Sequence, residues 1–195
     1  MRVTTTNILS QNLSLAGALL VSISCLSVPS VSYSDELKLE SLSMRTRMSE
    51  KTVLGEDAPE DFEELDVSAN FRLPWHNFLT ENLGADMRLM ASAGILRGAG
   101  DNALVLSVIP EFVLKSDSGR FGLDFGVGGV FTSQYEFGSQ DFGGPFQFAI
   151  TLGLSAPLYE KIGVGYRFMH YSDAGLNGPG TTGIDFHMIE FSYSL

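Results

Sequence analysis

The stretch that decides the fold is FGLDFGVGGVFT, residues 121–132, in which large apolar residues alternate with small or polar ones. One face of this segment is mainly large and apolar: Phe121, Leu123, Phe125, Val127 and Phe131. The other face is mainly small or polar: Gly122, Asp124, Gly126, Gly128 and Thr132. A period of two is that of a β-strand, so the segment is predicted to be a strand with two chemically different faces.

The same alternation recurs along the chain, with turn residues between the segments. Seven strands are predicted in this way, near 64–73, 83–97, 103–115, 120–135, 142–157, 160–172 and 184–195. Bacterial single-chain membrane barrels have an even number of strands. We therefore expect an eighth strand within 36–55, where the alternation is poor.

The chemistry of the two faces decides the class of fold. In a soluble barrel the large apolar residues would point inward. The opposite, small and polar face has too little bulk and too few charges for a solvated surface. It suits a narrow lumen, while the aromatic and aliphatic face suits lipid. The sequence predicts an all-β fold, an eight-stranded antiparallel transmembrane β-barrel assigned to 63–195, with a soluble β-sandwich as the alternative.

The N-terminal region has the pattern of an export signal. Arg2 precedes an apolar run over 13–28, and Ser32-Tyr33-Ser34 fits the small-x-small cleavage rule. We expect residues 1–34 to be a signal peptide, and a lipoprotein anchored through Cys25 is the alternative. The following segment, 35–62, is assigned as an acidic N-terminal segment that could include the first strand.

Composition excludes several classes of function. The net charge of −11 argues against nucleic acid as a partner. Cys25 is the only cysteine, so the exported chain is expected to have no disulfide and no thiolate metal site. His76 is distant in sequence from the other two histidines, so no metal site is predicted.

The connections between the predicted strands fall into short and long sets. KSDSG (115–119) and the stretch around 157–161 are tight, whereas YEFGSQDFGG (135–144) and DAGLNGPGTTG (173–183) are longer. Because such barrels have short periplasmic turns and long outer loops, 173–183 is expected to be extracellular. LPWHNFLTEN (73–82) is long for a periplasmic turn, and the alternation gives no account of it.

The last hairpin carries the residues with chemistry. In its first strand the even positions from Ile162 to Phe168 are apolar and are expected to face lipid. His170 and Ser172 continue this series near the outer rim. Two residues along a strand rise about 6.6 Å, close enough for the two side chains to lean together.

The final strand adds a carboxylate of matching orientation. Asp185 and His187 share the parity of its apolar residues, although Ile184 and Phe186 break the alternation. If the hairpin pairs Ser172 with Asp185, His170 lies opposite His187 and Asp185 is its diagonal neighbour, at about 7–8 Å. An imidazole oriented by a carboxylate and placed beside a hydroxyl is the minimal apparatus for nucleophilic acyl transfer.

RFMHYSDAGLNGPGTTGID, residues 167–185, resembles the signature of the lipid A 3-O-deacylase family (PagL). The resemblance implies an esterase of the bacterial outer membrane that removes the 3-O-linked acyl chain of lipid A without a cofactor. It implies that His170 is the base, Ser172 the nucleophile and Asp185 the orienting acid. The expected partner is lipid A, or lipopolysaccharide, in the outer leaflet, and a homodimer would cover polar groups that face hydrocarbon.

Three positions depart from the family pattern. The acid is Asp185 where the family often has glutamate, and Asp173 and Gly180 replace asparagines. If an asparagine stabilises the oxyanion, a lost donor of this kind lowers the rate by about 10²–10³. The residues expected to support the oxyanion or the loop are Asp173, Gly175, Asn177 and Gly180.

Four aromatic residues are expected to contact the acyl chain, although contact with bulk lipid explains them equally well: Phe146, Phe148, Tyr166 and Phe168. Two other functions stay open. One is a catalytically weakened barrel of the same family with a structural or lipid-binding role. The other is a small porin-like or adhesion barrel in which the His-x-Ser pair is coincidental.

Overall fold

A computed structural model of the chain describes residues 37–49, 52–54, 60–116, 118–178 and 181–195. Eight long strands form one barrel: β1 (Lys38–Ser49), β2 (Phe62–Thr80), β3 (Leu83–Gly98), β4 (Asp101–Ser116), β5 (Gly122–Thr132), β8 (Phe146–Tyr159), β9 (Ile162–Ser172) and β10 (Ile184–Ser194). The barrel is closed and antiparallel, in the order β1-β10-β9-β8-β5-β4-β3-β2. A separate two-stranded sheet consists of β6 (Glu136–Phe137) and β7 (Gln140–Asp141). The predicted eight-stranded antiparallel barrel is confirmed.

Among the described residues, no helix is long and apolar enough to cross a membrane. The expected signal peptide, 1–34, and part of the acidic segment lie outside the described residues.

The β2–β3 hairpin is longer than the alternation predicted. The prediction ended the strand at residue 73, but β2 continues to Thr80 and turns at 81–82. Pro74 lies inside β2, where the pairing with β3 shifts register between Arg72 and His76. A proline has no N–H to donate to the ladder, so the irregularity breaks the alternation without ending the strand.

The two ends of the barrel differ in their connections. Short turns link β2–β3, β4–β5 and β8–β9, at the end where Leu195 N donates to Glu40 O at 3.0 Å. The opposite end has the three long connections, 50–61, 133–145 and 173–183, together with a two-residue turn at Ala99 and Gly100. Both turn residues have positive φ (50° and 88°), as a tight hairpin turn requires. We call this opposite end the loop end.

The outer wall is apolar, as expected for a surface that faces lipid. Along β8 the outward residues are large, apolar and exposed: Phe146, Phe148, Ile150, Leu152 and Leu154. The residues between them are buried in the lumen: Gln147, Ala149, Thr151 and Gly153.

A network of ion pairs crosses the middle of the lumen. Arg167 of β9 donates to Glu111 and Asp124 at 2.8 Å each, and to Glu190 at 2.7 Å. These partners belong to β4, β5 and β10, so a single guanidinium joins four strands. Gly153 makes room for the network, since a Cβ there would overlap the Asp124 carboxylate.

The loop end of the lumen contains a buried aromatic cluster, which differs from the prediction of a small, polar lumen. Phe137 and Phe142 lie on either side of the β6–β7 turn and pack on Phe62, with ring centroids 5.3 and 5.6 Å away. Ile184 and Phe186 are fully buried beside them in the same cluster. These two residues break the alternation of β10 because they fill the lumen.

Replacing Arg167 with methionine should test the ion network. The substitution leaves Glu111, Asp124 and Glu190 without this cation, so we expect the free energy of unfolding to fall by about 3–5 kcal/mol. Urea titration of the folded barrel, followed by the fluorescence of the single tryptophan, Trp75, measures this change. Arg120→Met, in an exposed turn, is the matched control. Equal urea midpoints for the two variants would contradict the assignment.

Candidate active site

The inward residues of β9 determine where its other side chains point. Arg167, Met169 and Tyr171 are buried in the lumen. His170 and Ser172 therefore belong to the outer wall, at the loop end of the strand, as the alternation predicted. The imidazole is largely covered, with 12% of the side chain exposed.

His170 and Asp185 form the central contact of the site. They are direct partners across β9 and β10, and His170 Nδ1 lies 2.7 Å from Asp185 Oδ1. The register hypothesis, which placed Ser172 opposite Asp185 and His170 opposite His187, is wrong by two residues. In the structure His187 pairs with Phe168, and Ser172 lies beyond the last β9–β10 pair. An eleven-residue connection does not fix the register of a hairpin, and direct pairing brings the two groups closer than the diagonal arrangement does.

Asp185 is almost completely buried beneath a segment of the β1–β2 connection. The residue as a whole is 3% exposed, and its Oδ2 accepts hydrogen bonds from the backbone N–H groups of Val53 and Leu54, at 2.5 and 2.7 Å. Together with His170, these donors engage both oxygens of the carboxylate. Nothing in the alternation of 36–55 indicated this contact, because backbone donors leave no signal in the identity of a side chain.

Ser172 lies two residues beyond His170 on the same face of β9. The two side chains were expected to lean together, but no hydrogen bond joins them in the described part of the chain, where His170 Nδ1 bonds to Asp185 instead. Hydrogen bonds to a nucleophile are often long or open until substrate binds. The partner of Ser172 on β8 is Phe148.

Gly183, immediately before β10, packs against the imidazole of His170. A Cβ at this position would lie 2.8 Å from His170 Cε1 and 2.8 Å from Tyr171 O. Both distances are too short for a real contact, so any side chain here would displace the ring. Sequence reasoning missed this residue, because the requirement comes from a close approach between strands.

The β9–β10 connection is organised by the carboxylate of Asp173, which is buried. It accepts hydrogen bonds from Gly175 N at 2.8 Å, Asn177 N at 2.9 Å and Thr181 Oγ1 at 3.1 Å. Desolvation opposes ionisation, but these hydrogen bonds outweigh it and hold the pKa of Asp173 below its usual range. Of the four residues predicted for the oxyanion or the loop, three thus meet in one turn. Gly180 lies outside the described residues.

The four aromatic candidates for acyl contact separate into two pairs. Phe146 and Phe148 line a groove of about 540 Å³ on the outer wall, beside Ser172. Tyr166 and Phe168 instead pack on His187, which hydrogen-bonds to the Tyr166 hydroxyl at 2.5 Å.

The fold and the site together define a membrane barrel with an imidazole–carboxylate pair on its outer wall. Comparison with known proteins identifies the family: the chain belongs to the lipid A 3-O-deacylase (PagL) family, whose model matches residues 63–194.

Two relatives illustrate the similarity. The lipid A deacylase PagL of Bordetella bronchiseptica is 31% identical over 87 residues, which are 45% of this chain and 48% of that protein. The match thus spans about half the length of that curated relative. The crystal structure of the outer membrane enzyme PagL has the same fold, with a TM-score of 0.65 and 19% identity over 80% of this chain and 99% of that one.

Acidification should release the turn that Asp173 organises. Because the pKa of Asp173 is lowered, its ionised form stabilises the folded turn fully above about pH 4, and this contribution is lost as the pH falls through the lowered pKa. Hydrogen–deuterium exchange at the Gly175 and Asn177 amides, corrected for intrinsic rates, should show this loss of protection. Asp173→Ala should lack the protection at neutral pH as well. Protection in Asp173→Ala equal to that of the wild type would contradict the role of the carboxylate.

Proposed function

We propose that this chain, an outer-membrane β-barrel, is an esterase that removes the 3-O-linked acyl chain of lipid A. Membership of the deacylase family supports the substrate class. The observation that carries the proposal is the 2.7 Å hydrogen bond between His170 and Asp185, with Ser172 two residues away on the same face. These are the three groups that nucleophilic acyl transfer requires.

In this mechanism Asp185 accepts the Nδ1–H of His170 and so leaves Nε2 as the basic nitrogen. Nε2 takes the proton of Ser172 as its Oγ attacks the carbonyl carbon of the ester. The tetrahedral intermediate collapses with cleavage of the bond to the sugar 3-oxygen, which takes the proton back from His170. Water, deprotonated by His170, then attacks the acyl-serine carbonyl. The bond to Ser172 Oγ breaks, Oγ takes the proton back from His170, and a 3-hydroxy fatty acid is released.

The turn after Ser172 is the proposed source of the oxyanion donor. Its N–H groups are mostly engaged: those of Gly175 and Asn177 bind Asp173, and those of Leu176 and Gly178 bind carbonyls of the turn. Among the described residues of 174–178, the N–H of Ala174 is the one that donates no hydrogen bond within the turn. We therefore assign it the role of donor, while Asp173 keeps the turn in place.

The proposed path of the acyl chain starts at Ser172 and crosses β8, β5 and β4. Successive strand partners place Phe148 beside Ser172, Gly129 beside Phe148 and Val108 beside Gly129. Three strand spacings make this row roughly 14 Å long. A Cβ on Gly129 would meet nothing within 4 Å, so the missing side chain leaves open space in the groove. Leu176 of the β9–β10 connection also lines it.

Filling this space should shorten the acyl chains that the enzyme accepts. We expect Gly129→Leu to lower kcat/KM for long-chain esters by about tenfold, with a smaller loss for short chains. Hydrolysis of synthetic 3-O-acyl glucosamine lipids of graded chain length measures the effect. Val127→Leu, which enlarges a neighbouring outward residue away from the groove, is the control. A loss independent of chain length would contradict this path.

Removing the nucleophile tests the reaction itself. Mass spectrometry of lipid A from cells that express the wild-type protein should show the loss of one hydroxyacyl mass. Ser172→Ala should lower this activity by on the order of 10³-fold or more, because the serine, histidine and acid act as a unit. Ser155→Ala, at the opposite end of the barrel, is the control.

The mass-spectrometry experiment has three possible outcomes. Identical lipid A profiles for wild type and Ser172→Ala would contradict the enzyme and favour a structural or lipid-binding barrel. Free fatty acid with unchanged lipid A would instead identify a phospholipid as the substrate. A loss of hydroxyacyl mass that requires Ser172 supports the deacylase.

A further inference from the structure

Val53 and Leu54 contact the site from a distant part of the chain. Their backbone N–H groups lie 2.5 and 2.7 Å from Asp185 Oδ2, across 132 and 131 residues of sequence. The contact comes from the connection between β1 and β2, whereas His170 and Asp185 belong to the last hairpin. The barrel brings these segments together because β1 closes on β10.

These two donors complete the hydrogen bonding of a buried carboxylate. Asp185 has 1% of its side chain exposed, so water cannot satisfy the oxygen that His170 leaves unused. A buried charged group without partners is strongly unfavourable. With Oδ1 on the imidazole and Oδ2 on two N–H groups, the carboxylate is held at both oxygens and its plane is fixed.

We propose that Val53 and Leu54 are positioning residues, whose backbone N–H groups hold Asp185 in the orientation that keeps His170 ready to act as base. The inference rests on the proposed function for its effect on the rate. Its structural content, that 53–54 maintains the His170–Asp185 hydrogen bond, is testable without substrate. Small displacements of an orienting group have large effects, since a misplacement of about 1 Å can lower a rate by 10²-fold.

The side chains of Val53 and Leu54 do not make this contact, so the test removes the N–H groups themselves. Val53→Pro and Leu54→Pro each delete one donor. Thr52→Pro introduces the same ring one residue earlier, keeps both donors and serves as the matched control. Two independent proline variants keep the test decisive if one of them fails to fold, which the heat-dependent gel mobility of the barrel reports.

Two readouts are needed. The first is the NMR signal of the His170 Nδ1 proton in histidine-labelled barrel in detergent micelles, assigned with His170→Gln. The second is the kcat and KM of lipid A deacylation. We expect both donor-deleting variants to lose or shift the proton signal and to lower kcat by roughly ten- to a hundredfold, while KM changes little. Thr52→Pro should keep the signal and the rate.

A double-mutant cycle separates positioning from a general loss of structure. If 53–54 acts through Asp185, Leu54→Pro should cause no further loss in an Asp185→Ala background. The same loss in both backgrounds would overturn the inference, as would an unchanged proton signal in folded Val53→Pro and Leu54→Pro. If the wild type leaves lipid A intact, the proposed function fails, whereas a signal that depends on the two donors still supports positioning.

Discussion

The position of the site depends on the ion pairs that the Arg167 guanidinium forms in the lumen. Three carboxylates from three other strands surround it, and a buried cation without them would be strongly destabilising. A slip of one residue in β9 would turn Arg167 towards lipid and His170 and Ser172 towards the lumen. The charged interior therefore opposes a one-residue slip and keeps the imidazole and the hydroxyl on the outer wall.

The features that were predictable from sequence are those with a local cause. A period of two is visible within a single segment, so the strands, the apolar outer wall and the shared face of His170 and Ser172 followed from alternation alone. The direct cross-strand pairing of His170 with Asp185 did not follow from it, because eleven residues connect the two strands and leave their register open. The extension of β2 past Pro74 was also missed. It is held by renewed pairing with β3 from His76 onward, which the pattern of β2 alone does not show.

The remaining parts of the site depend on empty space and on backbone groups, which sequence patterns do not report. Gly183 and Gly129 matter because a side chain is missing, in one case beside the imidazole and in the other in the groove. Val53 and Leu54 matter through their N–H groups. The eighth strand expected within 36–55 is β1, although the poor alternation there gave neither its ends nor the segment that contacts Asp185. Such features become visible only when the barrel is closed.

The filled lumen has a kinetic consequence. Arginine–carboxylate pairs and an aromatic cluster occupy the interior, so in the proposed reaction a lipid does not reach Ser172 through the barrel and arrives by diffusing within the plane of its own leaflet. For such a protein the meaningful substrate concentration is the mole fraction of the substrate among the lipids of the leaflet. Turnover would then respond to crowding, fluidity and dilution by other amphiphiles, even when the total amount of substrate in the suspension stays constant.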